Sequence, residues 1–184
     1  MMVAALAGTL VSGSPAHATP SVTKAPVAIG RGGAASTVDL DATRVAIDVL
    51  RHGGNAVDAA VAAAATLGVT EPFSSGLGGG GFFVFYDART GKVYTIDGRE
   101  AAPASMQETA FVNPATGQPF AFQEARISGI SVGVPGTPQT WQTALRKWGT
   151  ISLRDALRSA IKIADKGFVV DQTFADQINE NLAA

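Results

Sequence analysis

The 184-residue sequence contains no cysteine, which excludes disulfides, thiolate metal sites and a cysteine nucleophile. Histidine is scarce as well. His17 and His52 are the only two, and one histidine in the mature chain among scattered carboxylates gives no metal-ligand spacing. Charged residues make up only 16% of the chain and sum to −1. With no basic surplus, nothing points to nucleic acid or to an anionic membrane surface as a partner. The leading apolar run, Met1 to Val11, is too short to span a bilayer. What is present is a hydrophobic fraction of 46%, the composition of one globular domain with a real core rather than of a disordered chain.

That leading run has the length of a signal-peptide core, and Ala16-His17-Ala18 supplies an A-x-A cleavage site. The sequence therefore predicts a signal peptide over 1–18 and a secreted, periplasmic or cell-surface product over 19–184. A basic n-region is missing, and a disordered apolar leader is the alternative.

Along the rest of the chain, "PVAIG" (26–30) reads as a short strand. "DLDATRVAIDVLRHGG" reads as a helix capped by Asp39 or Asp41. Its apolar face is Ala42, Val45, Ala46, Val49 and Leu50, and Gly53 stands in the left-handed position past its end. A second helix starts at Asn55, with Asp58 as its capping-box partner. Its body, "AVDAAVAAAATLGV", is small and apolar all round, so it should be buried on most sides. "FFVFYD" and "KVYTIDGRE" read as a hairpin joined through Gly91, the second strand stopping at Pro103. Turn-rich "NPATGQPF" and Gly/Pro-rich "SGISVGVPGTP" follow. Three more helices are expected, over 138–148, after the Ser152/Asp155 cap, and over 171–184. The last is neither capped nor closed, as expected of a fragment.

Two motifs match their patterns but not the required context. Gly76, Gly78 and Gly81 match G-x-G-x-x-G, yet a dinucleotide site needs a strand before the glycines and a helix after them. Here a helix precedes and a strand follows, and no G-K-[ST] completes a P-loop. Glycines that pass the backbone tightly from helix to strand are the plainer reading. Gly129 to Gly133 match G-x-S-x-G around Ser131, but Val134-Pro135-Gly136 breaks the helix that a nucleophile elbow requires, and both histidines lie upstream. His52 is better explained as favouring the negative end of its helix.

Arg99, in "TIDGREAAP", is a stronger candidate. Its planar fork can hold a carboxylate through two parallel hydrogen bonds. The competing reading is an ordinary surface ion pair with Glu100 or Asp97.

Taken in order, "GGNAVDAAVAAAATLGVTEP", "SGLGGGGFFVFY", "IDGREAAP", "GVPG", "KWGTISLRDAL" and "KGFVV" resemble the N-terminal part of the γ-glutamyltransferase (γ-glutamyl transpeptidase, glutathione hydrolase) large subunit. The resemblance runs from about Pro26 to Leu182. It implies an α+β fold, the N-terminal-nucleophile hydrolase αββα sandwich, of which this chain would form a part. It also implies a precursor that cuts itself into large and small subunits, with the new N-terminal threonine of the small subunit as nucleophile. The implied substrates are glutathione and other γ-glutamyl compounds, the acceptors water, amino acids or peptides, and the protein partner the chain's own small subunit. Neither cofactor nor metal is implied. Arg99 matches the arginine of the family's R-E-x-A-P motif, which binds the substrate α-carboxylate.

The processing threonine has no counterpart here, since Thr23, Thr37 and the others lie outside its context. No catalytic residue is therefore assigned within this chain, and the chain alone is expected to be inactive, with open strand edges and exposed apolar faces. The alternatives are a related acylase of the cephalosporin or glutaryl type, which uses a serine nucleophile, and a non-catalytic remnant of the scaffold.

Overall fold

Helix α1 (Leu40–Arg51) begins where the Asp39 carboxylate accepts the Ala42 N–H at 2.8 Å, so of the two candidate caps Asp39 serves. The computed structural model describes residues 27–182; the signal-peptide reading of 1–18 lies outside them. Past α1, Gly53 adopts φ +91°, the left-handed turn that the sequence predicted. Helix α2 (Ala56–Thr70) starts on the full Asn55/Asp58 capping box and buries nine of its residues, as its apolar composition requires. It runs back against α1, and Thr70 Oγ1 donates to the α1 cap Asp39 at 2.9 Å.

A single turn, α3 (Pro72–Ser75), and a glycine loop lead into β1 (Gly81–Asp87), which pairs antiparallel with β2 (Lys92–Gly98). The register sets Phe83 opposite Ile96 and Phe85 opposite Tyr94 on the inner face. These rings close on Trp148, with centroids 5.1 Å from Phe85 and 5.4 Å from Tyr94. The outer face carries Phe82, Val84, Tyr86 and Val93, all more than 60% exposed. Among the described residues nothing covers that face or pairs with either free strand edge. A long loop with the short helix α4 (Phe122–Arg126) and a 3-10 turn (Gly129–Ser131) precedes α5 (Thr137–Trp148), α6 (Leu153–Lys166) and α7 (Gln172–Glu180).

Some expectations need correction. Val27–Gly30 of the "PVAIG" segment form no strand; they are exposed coil, because no neighbouring strand among the described residues supplies a ladder. Pro26 lies outside the described residues. The second strand ends at Gly98 rather than Pro103, leaving Arg99 and Glu100 outside the ladder in coil, with an isolated bridge between Ala101 and Val134 beyond it. Helices α3 and α4 are too short to show helical periodicity in the sequence.

The main core joins Val57, Val61 and Ala65 of α2 to Trp141, Ala144 and Leu145 of α5 and Ala156 and Ala160 of α6. Asp58, fully buried, ties these helices together. Beyond its capping role it accepts from Thr150 N at 2.8 Å, Thr150 Oγ1 at 2.6 Å and Ile151 N at 3.4 Å. Asn55 Nδ2 donates to the Trp148 carbonyl at 2.7 Å. Burial pushes the Asp58 pKa up, but the hydrogen bonds from Thr150, Asn55 and Ile151 outweigh it and hold the carboxyl below its ordinary value.

A depressed folded-state pKa contributes stability above the unfolded aspartate pKa and loses it as pH falls through the folded value. Asp58→Ala in the full-length protein should cost about 2–4 kcal/mol at neutral pH, because several buried donors lose their acceptor. Urea melts across an acid titration check this: the gap between wild type and variant should narrow as pH falls below the ordinary aspartate range.

Candidate functional site

Three backbone segments meet at Gly98. A Cβ there would strike the Thr140 side chain and come within 3.0 Å of the Gly81 carbonyl, and a Cβ on Gly136 would strike the Gly98 carbonyl. Only glycine allows the end of β2, the start of β1 and the N-terminus of α5 to pass this closely. The crossing is fastened by the Gly79 carbonyl, which receives Gly136 N at 3.1 Å, Thr137 N at 3.2 Å and Thr137 Oγ1 at 3.0 Å. Thr140 Oγ1 donates to the Gly136 carbonyl at 2.9 Å. The "SGLGGGG" loop is thus a packing device between a helix and a strand, and "GVPG" is its complement from the other side.

Arg99 is the next residue after this crossing, so the direction in which it leaves the sheet is fixed by the packing beneath it. It lines a cavity of about 660 Å³ whose other walls include Ser74, Ser75, Gly78, Glu100 and Trp141. Arg99 Nη1 lies 3.0 Å from Glu100 Oε2, and Asp97 Oδ1 accepts the Arg99 backbone N–H at 3.0 Å. The plain ion pair weighed for Arg99 therefore exists, with Glu100. Among the described residues Nε and Nη2 have no partner, and the Arg99 side chain is 58% exposed. A guanidinium with one arm held and two donors open can receive a carboxylate from the cavity.

Glu100 packs tightly, and a Cβ on Gly133 would lie 2.8 Å from its Cβ. Its place beside the cavity was not legible beforehand, because sequence showed it only as a neighbour of Arg99. Ser74 and Ser75 enter the wall through α3, whose single turn carries no sequence signature beyond Pro72. Ser131 does not join the site: its Oγ lies 2.8 Å from the Ser128 carbonyl and 3.0 Å from that of Arg126, in a 3-10 turn with no helix directly after it. His52 Nδ1 lies 2.8 Å from the Asp48 carbonyl at the end of α1, consistent with a helix-end role. Among the described residues no cluster of carboxylates and histidines could hold a metal ion, and no helix is long and apolar enough to cross a membrane.

A family model described as Gamma-glutamyltranspeptidase matches residues 42–184. The glutathione hydrolase proenzyme of Bacillus subtilis (strain 168) is 43% identical over 154 residues, which are 84% of this chain and 26% of that protein. The chain thus spans about a quarter of the length of this curated relative. The crystal structure of Helicobacter pylori gamma-glutamyltranspeptidase overlays with a TM-score of 0.78 at 33% identity, covering 84% of this chain and 44% of the other. A cephalosporin acylase from Bacillus halodurans overlays less well, with a TM-score of 0.60 at 30% identity over 76% of this chain and 26% of that one. The fold is the α+β fold of the N-terminal-nucleophile hydrolases, present in part as one two-stranded piece of sheet and the helices on its inner face.

Gly98→Ala should cost about 1–3 kcal/mol through overpacking at the crossing. Adding Thr140→Ala should leave the double variant less destabilised than the sum of the two singles, a coupling that denaturant midpoints will resolve.

Proposed function

The chain belongs to the gamma-glutamyltranspeptidase family, and from that premise we propose that the full-length protein cleaves the γ-glutamyl amide of glutathione and related compounds, passing the γ-glutamyl group to water, an amino acid or a peptide. The observation that carries this reading is Arg99, presented at the cavity wall with two open donors. The α-carboxylate of a γ-glutamyl group would take the open side of the guanidinium while Glu100 holds the other arm. Anchored there, the γ-glutamyl amide is oriented for attack rather than merely bound.

The attacking group is a threonine hydroxyl at the N-terminus of the small subunit, its own amino group serving as base. The hydroxyl oxygen bonds to the amide carbon, and the amine leaves with the proton. The resulting γ-glutamyl ester then passes its acyl group to water or to an acceptor amine. The bare outer face of β1 and β2 supports the small subunit as a partner, since Phe82, Val84, Tyr86 and Val93 form an apolar surface that needs a cover. Export to the periplasm, cell surface or medium is part of the proposal and rests on the leader and its A-x-A site. The better overlay with a gamma-glutamyltranspeptidase than with the cephalosporin acylase favours γ-glutamyl over other acyl groups.

In the full-length protein, Arg99→Lys should raise KM for γ-glutamyl-p-nitroanilide by about 10- to 100-fold with a much smaller change in kcat, because lysine keeps the charge but loses the fork. An unchanged KM sinks the assignment of Arg99. The 184-residue chain by itself should release no p-nitroaniline from the same substrate, and measurable turnover would place the nucleophile within it.

A further inference from the structure

Helix α7 reaches the cavity wall through one face. Phe174, Gln177 and Asn181 follow the spacing i, i+3, i+7, which places them on one side of the helix. The Phe174 ring lies 5.8 Å from that of Phe73 on α3 and 5.9 Å from that of Phe168. Gln177 Nε2 donates to Ser74 Oγ at 2.9 Å, and its Oε1 is buried without a hydrogen-bond partner among the described residues. Asn181 accepts from Arg126 Nη1 of α4 at 3.1 Å. Ser74 and Phe73 belong to one turn that lines the same cavity as Arg99.

That wall is weakly held by its own backbone. Within α3 the Ser74 and Ser75 N–H groups both turn back to the Glu71 carbonyl, and no side chain caps the turn. At its far end the Gly79 carbonyl is fixed to α5. Between these anchors Gly76 and Gly78 supply no side chains and Leu77 packs against α2 at Gly68, so the Phe73–Ser74 end takes its further support from α7.

We propose that α7 is a positioning strut for the substrate pocket: Phe174 and Gln177 hold Phe73 and Ser74 and thereby set the shape of the cavity that these two residues line together with Arg99. They are positioning residues, acting through the α3 wall. The kinetic part of this proposal rests on the γ-glutamyl reading, whereas the tether itself does not.

The test compares the full-length wild type with the Phe174→Ala/Gln177→Met double variant. Amide hydrogen exchange should quicken by about tenfold at Ser74, Ser75 and Gly79, with the β1 and β2 amides unchanged, as for local opening of a loosened segment. KM for γ-glutamyl-p-nitroanilide should rise about 3- to 10-fold with kcat within about twofold, the loss of one aromatic pair and one hydrogen bond. Unchanged exchange at the wall overturns the strut, as does an equal acceleration in β1 and β2, which would make α7 a general stabiliser. Faster exchange at the wall with unchanged KM, in a protein where Arg99→Lys raises KM, also overturns it. Where the wild type does not turn over γ-glutamyl-p-nitroanilide, the γ-glutamyl reading fails and the exchange pattern alone decides the strut; where Arg99→Lys leaves KM unchanged, only the assignment of Arg99 fails, and the exchange pattern again decides.

Discussion

The carboxylate of Asp58 is the joint on which the packing of this chain depends. It closes the first turn of α2 and, 92 residues later in sequence, receives both the backbone and the hydroxyl of Thr150. One buried charge thereby sets the N-terminus of α2 against the turn between α5 and α6. Such a charge is tolerable only because donors surround it, and each donor is in turn held by a helix end. Gly149 is part of the same arrangement, since a Cβ there would lie 2.8 Å from Asp58 Oδ1 and from Leu145.

Helix α5 carries this constraint to the site. Its C-terminal end is tied to Asn55 through the Trp148 carbonyl, and its N-terminal end lies at the Gly98 crossing, fastened through Gly79. Between the two ends Trp141, Ala144 and Leu145 enter the core. The position of Arg99 therefore follows from helix packing more than from its own contacts. A half-exposed arginine at the end of a strand would otherwise sample many directions; here the backbone that launches it passes through a crossing too tight for any side chain.

The two faces of the small sheet differ. The inner face is closed by Trp148 and the helices, while the outer face presents large apolar side chains to solvent. The cavity beside Arg99 is lined by Ser74, Ser75, Gly78, Glu100 and Trp141.

Much of this was legible in the residues themselves. Caps such as Asp39, Asn55 and Ser152, the stops at Gly53 and Gly167, and the hairpin around Gly91 are local signals, decided within a few residues by hydrogen bonding and backbone sterics. The ordered motifs also fixed the family resemblance and singled out Arg99. The second role of Asp58, the reason for the glycines at 98 and 136, the pairing of Arg99 with Glu100 and the reach of Gln177 to Ser74 were not legible. The "PVAIG" segment shows the same limit, since its apolar pattern suits a strand but a strand requires a neighbour. Sequence alone determined the longer helices, the caps and stops of α1, α2 and α6, and the candidate arginine, because those depend on neighbours in the chain. Tertiary structure alone decided which backbones cross, what Asp58 joins and what lines the cavity, because those depend on close approach between residues far apart in sequence.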